Sequence, residues 1–143
     1  MTVLFSGLIA SFTSLIVTSL LNYLYQRTNS QRRLDDTLMQ LNKNMLENPF
    51  LENDSSLAEY IKLEPNLAKK MNDQYNIFCI MKYNYLEEYC RFYQYKINKI
   101  SKKIHLKEYL KDNEHWWAEN RKINYEAYDK KFLHIIEEVV NEA

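Results

Sequence analysis

Two histidines stand at helical spacing from carboxylates: His115 lies four residues before Glu119, and His134 lies three and four before Glu137 and Glu138. Imidazole and carboxylate on one helix face are what a metal ion or an acid–base pair would use. A carboxylate di-metal bundle needs two Glu-x-x-His units and two further inward carboxylates, and no Glu-x-x-His occurs. No metal site and no cofactor are therefore expected. Cysteine chemistry fares no better. A nucleophilic thiol needs a base and a lowered pKa. Cys90 precedes Arg91, but neighbours on a helix point about 100° apart, and Cys79 has only Lys82 one turn away. Both cysteines are expected to be small buried hydrophobes. No phosphate loop, serine elbow or pair of catalytic aspartates is present, so no catalytic residues are assigned and the chain is read as non-enzymatic.

The segment KINKISKKIHLKEYLK, Lys96 to Lys111, has a stronger chemical character, with six lysines, His105 and one acid, Glu108. Lys96, Lys99, Lys103 and Lys107 advance by three and four, so a helix could line them along one side. The plain reading is a solvated face. The sharper ones are contact with anionic lipid headgroups, or a site for an anionic ligand such as a nucleotide. Tyr109, Trp116 and Trp117 would offer stacking surfaces to a base, and Arg121 a further cation. Lys96, Lys99, Lys103, Lys107, Trp116 and Arg121 thus form the candidate anionic site. No DNA partner is expected.

These residues must be held by helices. One glycine and two prolines among 143 residues leave little from which to build the turns of a sheet. From Val3 to Tyr25 the chain carries no charge and no proline, and as a helix this run would reach roughly 34 Å, enough to cross a hydrocarbon core of about 30 Å. A cleaved signal peptide would require a basic start and a small-x-small cleavage site, and neither is present. Arg27, Arg32 and Arg33 follow the run and nothing positive precedes it, so the C-terminal part is expected in the cytoplasm and the span in the inner membrane. Two cysteines without zinc spacing suit a reducing compartment. Gly7, Ala10, Ser11, Ser14 and Thr18 share one face of the span, as small-xxx-small contacts between transmembrane helices require. A homo-oligomer is expected.

All 19 basic and 19 acidic side chains lie beyond Tyr25. Leu34, Leu38, Leu41 and Met45 are spaced like a short coiled-coil seam, which lies opposite the small-residue face if the helix is continuous. Either the helix breaks near Thr28-Asn29-Ser30, or the seam packs on its own bundle. Asn48-Pro49 ends it. Ser56 and Glu59 make a capping-box pattern, Pro65 suits the first turn of the next helix, and that helix is predicted to run to about Ile100. A shorter amphipathic piece follows over Lys102 to Leu110. Asp112-Asn113 supplies a cap for EHWWAENRKI, and Asn124 is predicted to open the last helix. Trp116 and Trp117 are adjacent, so one is expected inside and the other at a surface.

In MKYNYLEEYCRFYQYK, Met81 to Lys96, the apolar residues cover most of a helix circumference, which places the element in the middle of a bundle. Glu87 and Arg91 are ordered to pair. Glu88 lies between Tyr85 and Phe92, and its partner, if it is buried, decides whether it is structural.

The helix containing YNYLEEYC, the basic connector, WWAENR and YEAYDKKFLHII together resemble an uncharacterised group of bacterial single-pass membrane proteins. These pair an N-terminal span with an apolar-Asn-aromatic-aromatic-Glu helix and a later Trp, Arg and Tyr-xxx-Phe segment. The resemblance covers about Tyr83 to Ile136 plus the span, with Tyr85-Leu86 departing from the aromatic pair. It implies no activity. In architecture alone the chain is similar to small membrane effectors of bacterial antiviral systems, including those gated by cyclic oligonucleotides.

The expectation is an all-α protein: a transmembrane helix over 1–26, a juxtamembrane helix or stalk over 27–48, and a small cytosolic helical bundle over 49–143. Its function is read as a non-enzymatic, self-associating inner-membrane protein with an interaction or sensing domain that takes a protein partner. The alternative is an antiviral membrane effector gated by an anionic nucleotide or a phage component.

Overall fold

The computed structural model describes the backbone of residues 2–101 and 104–141 and the side chains of residues 12–101 and 104–139. Every regular element among them is helical, so the protein is all-α. The contacts divide the chain into two units, Met1–Asp35 and Asp36–Ala143.

The first unit lies within α1, Thr2–Glu47, which continues through Thr28-Asn29-Ser30 without a break. The Thr28 hydroxyl donates back to the Leu24 carbonyl at 3.0 Å, so a hydroxyl that could have competed with the helix is satisfied inside it. From Phe12 to Tyr25, nine large apolar side chains are between 49% and 69% exposed. Among the described residues no helix is long and apolar enough to cross a membrane. Gly7, Ala10 and Ser11 of the small-residue face lie outside the described side chains, while Ser14 and Thr18 are exposed.

In the second unit, the end of α1 buries Leu41 and half-buries Leu38 and Met45. A single 3-10 turn, Pro49–Leu51, follows and puts Phe50 and Leu51 in the core. Helix α2, Asp54–Leu63, is capped by Asn53, whose side chain accepts from the Ser56 backbone N–H at 2.8 Å. The cap expected at Ser56 therefore sits three residues earlier: the Asn53 carboxamide reaches the third helical N–H, and Ser56 supplies that donor.

Pro65 opens a 3-10 turn, and α3 runs from Ala68 to Phe92. Its buried residues, Met71, Tyr75, Phe78, Cys79, Lys82, Tyr83, Tyr85, Leu86, Tyr89 and Cys90, cover one side of the helix, somewhat less than half of its circumference at about 100° per residue, a narrower face than the sequence predicts for a central element. Glu88 is exposed, which removes the question of a buried partner.

The predicted continuation to Ile100 fails at Tyr93. Gln94 and Tyr95 adopt φ of 55° and 57°, and the Tyr95 N–H returns to the Cys90 carbonyl at 2.7 Å. This is a helix stop normally made with glycine, and without one it costs about 1–2 kcal/mol per residue. Ring contacts oppose that cost: Tyr93 packs on Tyr89 at 5.0 Å, and the Lys131 ammonium lies over Tyr95 at 5.6 Å. Tertiary contact overrides local preference here.

Four short helices follow: α4, Ile97–Ile100; α5, Leu106–Lys111; α6, Glu114–Glu119; and α7, Arg121–Ala127. The last, α8, Lys130–Asn141, buries Phe132, Leu133, Ile135 and Ile136 against α3 and α5. Asn124 lies inside α7 and is buried, so it does not open the last helix. Asp129 does: its side chain accepts from the Lys131 N–H at 2.8 Å, while Glu87 on α3 accepts the Asp129 N–H at 2.7 Å. Glu87 also pairs with Arg91 at 3.4 Å, as expected.

Candidate functional site

The most polar part of the core begins with a lysine on the wrong side of α3. Residues 75, 79, 82 and 86 follow helical spacing along one buried stripe, and Lys82 stands in it at 2% exposed. A buried ammonium needs partners. Lys82 Nζ donates to Asn113 Oδ1 at 2.5 Å, lies 3.5 Å from Asp112 Oδ2, and sits 4.6 Å above the Tyr109 ring. Burial lowers its pKa, and the charge of Asp112 works against that shift.

The chain of hydrogen bonds continues in one direction. Asn113 Nδ2 donates to the Tyr75 hydroxyl at 2.6 Å, and that hydroxyl donates to Asp54 Oδ1 at 2.8 Å. Asp54 Oδ2 accepts the His115 backbone N–H at 3.2 Å, and the Asp54 N–H donates to the Asp112 carbonyl at 3.2 Å. A cation at Lys82 is thus joined to an anion at Asp54 through two neutral groups, each donating to the next. Such a chain polarises its members in one sense, which strengthens every link. Among the described residues no buried side-chain polar atom lacks a partner. Burial raises the Tyr75 pKa, with the bond to Asp54 adding to it, so the phenol keeps the proton that the relay requires.

Asp54 and Tyr75 also line a cavity of about 420 Å³ between α2, α3 and α6. Leu57, Ala58 and Ile61 form its apolar wall; Asn72, Asn76, His115, Glu119 and Asn120 form its polar rim. His115 Nε2 lies 3.1 Å from Glu119 Oε1, the one paired arrangement legible from their spacing. Trp116 also lines the cavity and is buried, with its indole N–H donating to Asn76 Oδ1 at 2.8 Å. A second cavity of about 320 Å³ is lined mainly by Tyr83, Leu110, Trp117, Ala118 and Ile136.

Nothing matches this chain among the protein families, curated proteins or solved structures compared with it. Its chemistry has to be read from its own residues.

The two tryptophans share a partner. Tyr83 stacks on Trp116 with centroids at 5.4 Å and meets Trp117 at 4.5 Å. Trp116 is the buried one; Trp117 is half-buried and goes on to contact Tyr128 at 5.6 Å. One face of the Trp116 ring is therefore covered by Tyr83, and its N–H is taken by Asn76.

The lysine row does not lie on one helix. Lys96 precedes α4, Lys99 is within it, and Lys107 is on α5 beyond the intervening segment; all three are exposed. Lys103 lies outside the described residues. Arg121 is exposed and sits 5.3 Å over the Tyr125 ring.

Cys79 and Cys90 are buried, and burial pushes both thiols up to about 12, which leaves them protonated at neutral pH and poor nucleophiles. No group of three His, Cys, Asp or Glu side chains placed to hold a metal occurs among the described residues.

The relay residues Asp54, Tyr75, Lys82 and Asn113 escaped the sequence reading. Lys82 carried a detectable signal, a charge at the spacing of an otherwise apolar stripe. Asn113 carried a misleading one. It occupies the helix N-cap position without making a side-chain cap, because its amide is spent on Lys82 and Tyr75.

Proposed function

We propose that this is a non-enzymatic, single-pass inner-membrane protein that self-associates and carries a helical binding or sensing unit on the cytoplasmic side. The observation that carries the reading is the exposure of the apolar side chains from Phe12 to Tyr25 on α1. Leaving a Leu or Phe side chain in water forgoes about 1.5–3 kcal/mol of burial, and bilayer insertion recovers it. The absence of charge from Val3 to Tyr25 supports insertion, and Arg27, Arg32 and Arg33 at its far end support the orientation.

The binding role is supported by the cavity of the second unit, whose volume of about 420 Å³ falls in the range of small-ligand sites. The non-enzymatic reading is supported by how the reactive groups are used: the thiols are buried and protonated, and the lysine is held by Asn113 and Asp112.

Alkaline carbonate extraction of membranes from cells expressing the full chain tests the anchor. The protein is expected in the pellet, and Ile16→Lys combined with Leu20→Lys is expected to release it. Recovery of the unaltered chain in the supernatant would sink the proposal.

A further inference from the structure

We propose that the cavity between α2, α3 and α6 is a binding site for a guanidinium group, carried either by a free small molecule or by an arginine side chain of a partner. The inference rests on reading the helical unit as a binding domain, and it adds the ligand's chemistry.

Charge, together with the placement of acceptors, points to the class. Asn72 donates its amide to the Ala68 carbonyl at 2.9 Å, and Asn120 donates its amide to the Trp116 carbonyl at 2.9 Å. Both line the cavity, and each has spent one N–H of its amide on a nearby carbonyl, which leaves a carbonyl oxygen as acceptor and one further N–H. Asp54 holds two donors on separate oxygens, one lone pair each, and a carboxylate has about four such sites. Glu119 adds a second carboxylate, one oxygen of which lies 3.1 Å from His115 Nε2, and the lining contains no lysine or arginine.

The indole N–H of Trp116 is consumed by Asn76, and the Tyr75 hydroxyl by Asp54. A ligand entering here meets two carboxylates and several amide oxygens, with amide N–H groups and the His115 imidazole beside them. Phosphates and carboxylates are repelled, so the cavity selects against the anions that would suit the lysine-rich segment. An ammonium offers three donors from a point; a guanidinium offers five in a planar fork, which matches acceptors spread over three helices and pairs bidentately with a carboxylate.

The test uses the full chain in detergent micelles, with the indole N–H of Trp116 as reporter in two-dimensional nitrogen–proton spectra. Trp117 does not line this cavity and serves as the internal control. The probes are agmatine, a capped Gly-Arg-Gly peptide, and the same peptide with citrulline in place of arginine, which keeps the shape and removes the charge.

Saturable movement of the Trp116 signal by agmatine alone identifies a small-molecule site; movement by the arginine peptide identifies a partner's side chain. Glu119→Gln is expected to weaken binding about tenfold, as loss of one charge-assisted contact does. Asn72→Asp is expected to tighten it, a gain that loss of folding cannot mimic. A Trp116 signal unmoved by both guanidinium probes, or moved equally by the citrulline peptide, would overturn the assignment. A chain recovered in the soluble fraction would instead count against the membrane anchor and leave this readout intact.

Discussion

Lys82 donates to Asn113 across 2.5 Å at a position where the lysine is only 2% exposed, and the same asparagine passes the contact on to Tyr75. A charge from α3 is thereby tied to the segment before α6 and, through Tyr75, to the first residue of α2. This relay positions the cavity, because Asp54 and Tyr75 belong to both.

The relay makes unequal predictions for Lys82 and for Asn113, the group it donates to. Asn113→Leu leaves the Lys82 ammonium buried with its nearest acceptor gone, and removing one partner of a buried charge costs about 3–5 kcal/mol. Lys82→Met removes the charge with its cost of burial and keeps the volume, so the expected loss is smaller, about 1–2 kcal/mol. Urea unfolding of the two variants checks the order.

Glu87 makes a different kind of link. Its carboxylate accepts the Asp129 N–H at 2.7 Å and pairs with Arg91, so it anchors the start of α8 to α3. Glu87→Ala is expected to cost about 1 kcal/mol, the usual value of a helix cap, and to speed amide exchange at residues 129–133 while leaving α2 unaffected. Uniform acceleration across the chain would contradict a local anchor.

Alkali should destabilise the fold. Burial raises Cys79 and Cys90 from the ordinary 9.0 to about 12, and Tyr128 from 10.0 to about 12. In the unfolded chain these groups release protons first, so the stability they contribute is full below pH 9 and lost as pH rises towards 12. Lys82 has the opposite sign, since its lowered pKa means that deprotonation favours the folded state. Tyr75, Tyr83, Tyr89 and Tyr109 are raised by burial as well and add to the loss. The urea midpoint is expected to fall from pH 9 upwards, and to fall less steeply in a Cys79→Ala, Cys90→Ala double variant.

Self-association of the span predicts that Ser14→Leu with Thr18→Leu lowers the mass of the detergent-solubilised particle. Phe12→Leu, a control on the apolar surface, should leave it unchanged. Sedimentation in density-matched detergent measures both. Equal masses for all three would leave the small-residue face without a role.

Sequence alone was enough for what depends on neighbours one turn apart. The scarcity of glycine and proline implied helices, the uncharged run from Val3 to Tyr25 marked α1 as unlike the rest, and the apolar circumference of Met81 to Phe92 placed α3 in the core. The Glu87–Arg91 pair and the His115–Glu119 pair followed from spacing. The lysine row did not, because helical spacing has meaning only inside one helix, and the chain leaves α3 at Tyr93.

Contacts distant in sequence decided the remainder. The stop at Gln94 and Tyr95 is costly locally and is held by rings and a lysine elsewhere. Asn113 reads as a cap, yet Lys82, 31 residues earlier, takes its carbonyl oxygen. Lys82 finds its partners only when Asn113 and Asp112 are brought to it. A buried charge is tolerated only where folding supplies its partners, and the acceptors of the cavity converge only when α2, α3 and α6 pack. Sequence spacing determines which residues share a helix face; only packing determines which faces meet.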